Sequence, residues 1–504
     1  MEKVKSYIKE EVEKMANFDV ILVGAGLGGC SSAALLAKRG LKVLLLEKGA
    51  TAGGKAASIS RNGFNFCQWQ VSGCPTINNK YDVVLEELGK KEAVRFYTAK
   101  EATMVHVKPN GETASVVLDM ANGIDMGVVL NWLGIEGKGQ ENTERVFNDI
   151  VTMSEQDIDA LDDVTFKEFL DRYDLPKAAY AFLTSCFVDP MLLCTAETMC
   201  ASEAVMVLKE CLLYGYAIEF EGGMGKLAQL WVDSIEENGG TVMMDTRVNK
   251  IVVEDGKIVG VATDKGFFKA PIVISNAGIQ PTVLKLVGEE HFDKAYVNYV
   301  KDLVMSQAWM GGRYYLSQKV TNSNFVMYFS DDDTLRPDHM FAARKKDGSP
   351  NVSAMYALSP SNYDPTCAPE GKQLILTGYA CPKDPNDMTP DDIEKYVAIQ
   401  EKKLFDALPD LPKYLEKREI FTTRTVQKTS RDYDIPGQGG ELIGLAQIVG
   451  QCGKSKPSPK APIRGLFYVG TDAGGRTIGT NQAVDSGINV ARMAQHYHLM
   501  HGGR

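Results

Sequence analysis

Three glycines, Gly24, Gly26 and Gly29, stand in a G-x-G-x-x-G spacing between the apolar run FDVILVG and the small, helix-spaced CSSAALLAKRG. The chemistry this spacing supports is capture of a pyrophosphate by main-chain groups. The first glycine permits a tight turn, the second lets the backbone approach the phosphates, and the third lets helix and strand pack closely. The helix N-terminus adds free N–H groups and the positive end of its dipole. Glu47 follows eighteen residues after Gly29, at the end of a second apolar run, LKVLLLE. A carboxylate there accepts hydrogen bonds from ribose hydroxyls and repels a 2′-phosphate, which disfavours NADP. Leu27, Gly28 and Lys48 flank these positions and are expected to touch the same nucleotide.

Other chemistries have less support. Six histidines occur (106, 291, 339, 496, 498 and 501), three of them in the terminal HYHLMH. That tail reads as a frayed terminus, and no metal site is expected. Ten cysteines are scattered without a C-x-x-C pair, so zinc and iron–sulfur ligand sets are disfavoured. They read as the reduced thiols of a cytoplasmic protein. No G-x-S-x-G elbow marks a serine hydrolase. Tyr214, Tyr216 and Tyr328 are candidate proton donors, against the plainer reading of packed tyrosines.

FAD and NAD share the glycine fingerprint, and other blocks choose between them. Gly53-Gly54-Lys55 with Ser58 resembles the GG-[RK]-x-x-S/T segment that approaches FAD in the superfamily of amine oxidases and carotene desaturases. Gly470-Thr471-Asp472 resembles the place where these flavoproteins set an acidic residue on the ribityl or pyrophosphate moiety. GGMGKLAQLWVDSIEENGGTVMMDTRVNKI (222–251), APIVISNAG (270–278), SPSNYDPTCAPEGKQLIL (359–376) and KPSPKAPIRGLFYVGTDAGG (456–475) are similar, in the same order, to blocks of the phytoene desaturase-like family. That family holds carotenoid desaturases, carotenoid cis–trans isomerases and retinol saturases, with amine oxidases more distant. The resemblance implies FAD. It also implies cofactor contacts from Val248, Asn276, Gly470, Asp472, Thr480, Asn481 and Gln482, in addition to Gly54 and Lys55. The turn before the last helix could set a helix N-terminus against the pyrimidine edge of a flavin, where its dipole stabilises negative charge.

Two departures fall where substrate would meet flavin. The family's F-D-x-G is here Phe66-Cys67-Gln68-Trp69-Gln70, and its HPGxGxPG stretch is Ala473-Gly474-Gly475-Arg476-Thr477-Ile478-Gly479. These put a carotenoid substrate in question and leave FAD binding intact. Arg476, Thr477, Gln68 and Trp69 are the expected catalytic-site residues. Arg476 suits bidentate binding of a substrate carboxylate, or else is an exposed loop arginine.

Elements must position these groups. A βαβ unit runs from Phe18 to about Gly49. Helices are predicted at Val83–Leu88, Thr165–Tyr173, Lys177–Cys186, Ala201–Tyr214 and Thr389–Leu408, and strands at Ala102–Val107, Ala308–Leu316, Val326–Phe329 and Gln373–Tyr379. The N-terminal seventeen residues carry Val4, Ile8, Val12 and Met15 at helical spacing and read as a short amphipathic helix. The expected fold is α/β. A discontinuous Rossmann-like FAD-binding domain (18–82, 221–300, 455–504) receives an inserted α+β substrate domain (83–220, 301–454).

With 504 residues, 44% hydrophobic and 24% charged, the chain has an ordinary globular composition and room for two or three domains. A net charge of −10 without a long basic run argues against nucleic acid. No window of about 18 apolar residues predicts a membrane span, which leaves at most a peripheral membrane contact. The expected partners are an apolar or amphipathic small molecule and an electron-transfer partner. A second nucleotide motif for NAD(P)H is absent. The alternatives are a flavin amine oxidase, for which Trp69, Tyr468 and Trp309 could form an aromatic cage, and a non-catalytic escort or GDP-dissociation-inhibitor type of scaffold.

Overall fold

The computed structural model describes residues 17–69, 72–108, 110–121, 123–215, 217–330, 343–345, 347–430, 439–477 and 479–501. The predicted N-terminal helix and Tyr216 lie outside the described residues.

Five short strands, β1 (Val20–Val23), β2 (Val43–Leu46), β3 (Thr241–Met243), β4 (Ile272–Ser275) and β5 (Leu466–Tyr468), form one sheet in the order β5-β4-β1-β2-β3, all parallel. Their VILV, VLLL and IVIS runs are buried at every position. Such a strand is covered on both faces, so it needs apolar side chains on both. The sheet thus draws on both ends and the middle of the chain, and the mixed α/β architecture is as expected.

Helix α1 (Leu27–Lys38) follows β1, and every residue in it except Lys38 is buried. Its small residues set how closely its neighbour approaches. A Cβ on Gly28 would lie 2.9 Å from the Ala483 carbonyl, and one on Gly487 would lie 2.9 Å from the Gly28 carbonyl. Ala483 and Gly487 belong to the long C-terminal helix Gly479–His501, which therefore packs backbone-close on α1. That helix persists through the predicted frayed tail, where Tyr497 and His501 stack at 4.4 Å.

A second sheet of seven strands is mostly antiparallel. It is ordered 415–421, 308–316, 373–381, 355–358, 325–330, 101–107, 113–119. Helices at Met126–Leu133, Gly137–Thr152, Phe166–Leu170, Lys177–Phe182 and Ala201–Tyr214 share its principal apolar core. The predicted helix at Lys177–Cys186 is α-helical only to Phe182 and continues as a π-helix over Leu183–Val188. Helix Lys80–Leu88 crosses the expected boundary at 82/83. It buries Tyr81, Val84, Leu85 and Leu88 with the parallel-sheet core, so it packs with the parallel sheet. No helix among the described residues is long and apolar enough to cross a membrane.

Candidate functional site

The carboxyl ends of the parallel strands open on a cavity of about 510 Å³. Gly24 takes φ +98°, a left-handed conformation that glycine adopts without strain. A Cβ on Gly29 would collide with the Gly24 carbonyl, and one on Gly26 with the Asn276 amide, so both approaches require glycine. Helix α1 begins after Gly26 with no side-chain cap and no acidic residue in its first turn. Its orphan N–H groups therefore lack a protein anion. Gly24, Gly26, Leu27 and Gly28 line the cavity at this end.

Glu47 closes the next stretch of wall. Its two carboxylate oxygens accept from Ala25 N–H at 2.7 Å and Gly49 N–H at 2.8 Å. Each oxygen retains a lone pair, so a carboxylate fixed this way still accepts from sugar hydroxyls. Lys48, beside it, is held below the usual lysine range, chiefly by burial and then by Arg247. Val248 lines this end as well.

Gly53, Gly54 and Lys55 reach the cavity because Gly53 N–H donates to the Ala25 carbonyl at 2.7 Å and Gly53 takes φ +108°. Lys55 is tied by its ammonium to the Glu441 carbonyl, and lies 3.6 Å from the fully buried Glu441 carboxylate. Asn276 knits the strand ends together. Its amide nitrogen donates to the Val469 carbonyl and its oxygen accepts from Gly26 N–H, both at 3.1 Å. Asp472 lines the cavity and accepts from Ile279 N–H at 3.0 Å and Leu445 N–H at 3.3 Å. Gly470 and Thr480 complete this side, with the Thr480 hydroxyl 2.6 Å from the Tyr81 phenol.

The same cavity continues into apolar walls from the seven-stranded sheet and its helices: Pro190, Met191, Leu193, Trp309, Tyr356 and Leu442. Gln68 and Cys74 add polar points there.

Several expected site residues are employed elsewhere. Arg476 is absent from the lining. Its guanidinium binds Asp159 at 2.6 Å, with Glu203 at 3.6 Å and Asp162 at 3.9 Å, an acidic group it neutralises in place of a substrate carboxylate. Thr477, at φ +76°, accepts from the Asn481 amide at 2.9 Å, and Asn481 accepts from Lys80 N–H at 2.7 Å. Both hold the start of the C-terminal helix. Gln482 is buried in the same helix away from the lining, as is Gly29 in α1. Trp69 is buried under Phe421 at 5.1 Å, with Arg313 5.4 Å over its ring, so the aromatic plane is used by packing. Tyr214 and Tyr328 are also off the lining, and Lys403 sits 4.1 Å over the Tyr328 ring. Of the expected aromatic cage, Trp309 lines the cavity, while Tyr468 packs in the sheet core with its hydroxyl 3.1 Å from that of Tyr296.

Sequence reasoning missed Cys74, Tyr81, Tyr356 and Glu441. An apolar or acidic residue in an unremarkable run carries no local mark of a cavity.

The family model of an NAD(P)-binding Rossmann-like domain matches residues 22–83. Prolycopene isomerase 1 of an Oncidium hybrid cultivar is 25% identical over 509 aligned residues, which cover 91% of this chain and 81% of that protein. The inactive all-trans-retinol 13,14-reductase of Danio rerio is 25% identical, covering 75% of this chain and 68% of its own. The crystal structure of an oxidoreductase from Methanosarcina mazei superposes with a TM-score of 0.68 at 17% identity, covering 94% of this chain and all of that one. The chain is thus similar over most of its length to a prolycopene isomerase and an inactive retinol reductase, and it shares its fold with an oxidoreductase.

Proposed function

We propose that this chain is an FAD-dependent oxidoreductase that desaturates, saturates or isomerises a carbon–carbon bond in an apolar or amphipathic small molecule. One observation carries the reading: a single cavity joins an uncapped helix N-terminus and the Glu47 carboxylate to the Trp309, Tyr356 and Leu193 wall. The first end fits a dinucleotide and the second an apolar chain.

The chain's residues have distinct tasks in this reading. The free N–H groups of α1 and the backbone of Gly24 and Gly26 hold the pyrophosphate. Glu47, fixed by Ala25 and Gly49, accepts from the ribose. Asp472, held by Ile279 and Leu445 N–H groups beyond the edge strand β5, orients the ribityl chain. The bound flavin supplies hydride exchange at N5. The apolar wall excludes water from that exchange and orients the substrate carbon skeleton.

An amine oxidase draws less support, since Tyr468 and Trp69 face away from the cavity. The intact glycine cradle weighs against a scaffold without flavin. Ten buried free cysteines favour a reducing compartment, and we place the protein in the cytoplasm.

The test is an absorption spectrum of purified protein, followed by anaerobic bleaching with a panel of donors. A flavin band bleached by one class of unsaturated or saturated apolar compound supports the reading. A colourless protein that takes up no added FAD overturns it. Bleaching by amines alone hands it to the alternative.

A further inference from the structure

Cys74 and Cys211 stand with their sulfur atoms 3.3 Å apart, both buried, and Cys74 lines the cavity. The approach is built by the main chain. Gly73 and Ile218 exchange backbone hydrogen bonds at 2.7 and 2.8 Å, and Thr76 and Ile77 N–H donate to Gly215 and Tyr214. This ladder fixes the Cys74 segment against the end of helix Ala201–Tyr214, where Cys211 sits in the last turn. Met191, also on the lining, lies 3.9 Å from the Cys211 sulfur. Closing the gap to a disulfide needs a movement of roughly 1.2 Å, since the bond is about 2.05 Å long.

We propose that Cys74 and Cys211 form a reversible dithiol–disulfide pair that exchanges two electrons with the flavin of this cavity. The proposal rests on the flavin reading for its redox partner, while the pair itself does not. As the S–S bond forms, the two thiols give up two electrons and two protons. Both electrons and one proton pass to an oxidised flavin, and the second proton passes to solvent. The reverse step reopens the bond with two electrons from a reduced flavin.

The roles within the pair are unequal. The hydrogen bond with Cys74, together with burial, holds the Cys211 thiol proton well above the usual range. Cys74 is the sulfur that lines the cavity, and Cys211 stands behind it. A second thiol pair serves as an internal control. Cys200 is brought down to about 7, chiefly by its hydrogen bond with Cys452, and neither residue lines the cavity.

The experiment has two arms on the full-length protein. In the first, flavin-free protein is oxidised with diamide, alkylated and mapped by mass spectrometry. A Cys74–Cys211 peptide is expected. Its absence while Cys200 and Cys452 react overturns the pair. In the second, the oxidised protein is loaded with FAD and titrated anaerobically with dithionite. The expected uptake is about four electrons per flavin, against about two in Cys74→Ser and in Cys211→Ser. The two variants change opposite sides of the pair, so failure of one to fold leaves the other to decide. An uptake of about two electrons in the wild-type protein overturns the relay. A chain that takes up no flavin overturns the relay together with the flavin reading, and the mapping still decides whether the pair forms.

Discussion

Around the parallel sheet the cavity is bounded mainly by backbone, at Gly24, Gly26, Gly28, Gly53 and Gly470. Across it, around the seven-stranded sheet, it is bounded by side chains, at Trp309, Tyr356, Leu193 and Met191. In the proposed reading the first boundary would meet phosphate and sugar through main-chain N–H groups. The second shapes an apolar space whose form depends on which side chains several distant segments send there.

Breaking the backbone half should have the largest effect. In Gly29→Ala the added methyl meets the Gly24 carbonyl, so the phosphate turn must shift. In a helix the change by itself favours stability by about 1 kcal/mol, so a net loss of about 1–3 kcal/mol in urea unfolding would isolate the clash. Flavin affinity, followed by fluorescence quenching, should fall on the order of 100-fold, a loss of about 2.7 kcal/mol.

Trp309→Ala opens the side-chain half. Trp309 is buried against Tyr356 with ring centroids 6.5 Å apart, and removing it should cost about 3 kcal/mol of stability. Flavin affinity should stay within about twofold if the two boundaries are independent. A comparable loss of flavin binding would show that the wall shapes the cradle as well.

Arg476→Ala sharpens the comparison from outside the cavity. The Asp159 partner is exposed, but Glu203 and Asp162 are buried and would lose their cation, so the expected stability loss is about 2 kcal/mol, with bleaching rates unchanged. Slowed flavin reduction at full stability would return Arg476 to the substrate.

A pH-dependent effect lies at the seam between the halves. Burial pushes the Glu210 carboxyl up to about 7 from its ordinary 4.5, against Lys80 on the nucleotide side. An acid whose folded pKa is raised binds more protons folded than unfolded. Its contribution to stability is therefore full below pH 4.5 and is lost as pH rises through about 7. Glu210→Gln should flatten urea midpoints measured across that window, and an unchanged slope would assign the pH dependence to other groups.

The two halves were also unequally legible. The glycine spacing, Glu47 and Asn276 are local marks, and the structure sets Gly24, Gly26, Glu47 and Asn276 together at one end of one sheet. Helix Ala201–Tyr214 and strand Ala308–Leu316 occupy their predicted bounds because their apolar patterns match their burial. Helix Gly137–Thr152 was missed because its buried face includes Asn142 and Thr143. They read as polar, and they are buried only because Asn142 donates to the Asp174 carbonyl and Thr143 to that of Gly139.

The residues of this chain by themselves determine the parallel strands, the phosphate turn and the carboxylate beyond it, since each follows from short-range pattern and backbone conformation. Tertiary structure alone decided that Arg476 faces Asp159 and Glu203, that Trp69 packs beneath Arg313, and that Cys74 meets Cys211 across 137 residues. Those outcomes depend on where non-local sheets and helices close, and no spacing along the chain encodes that closure.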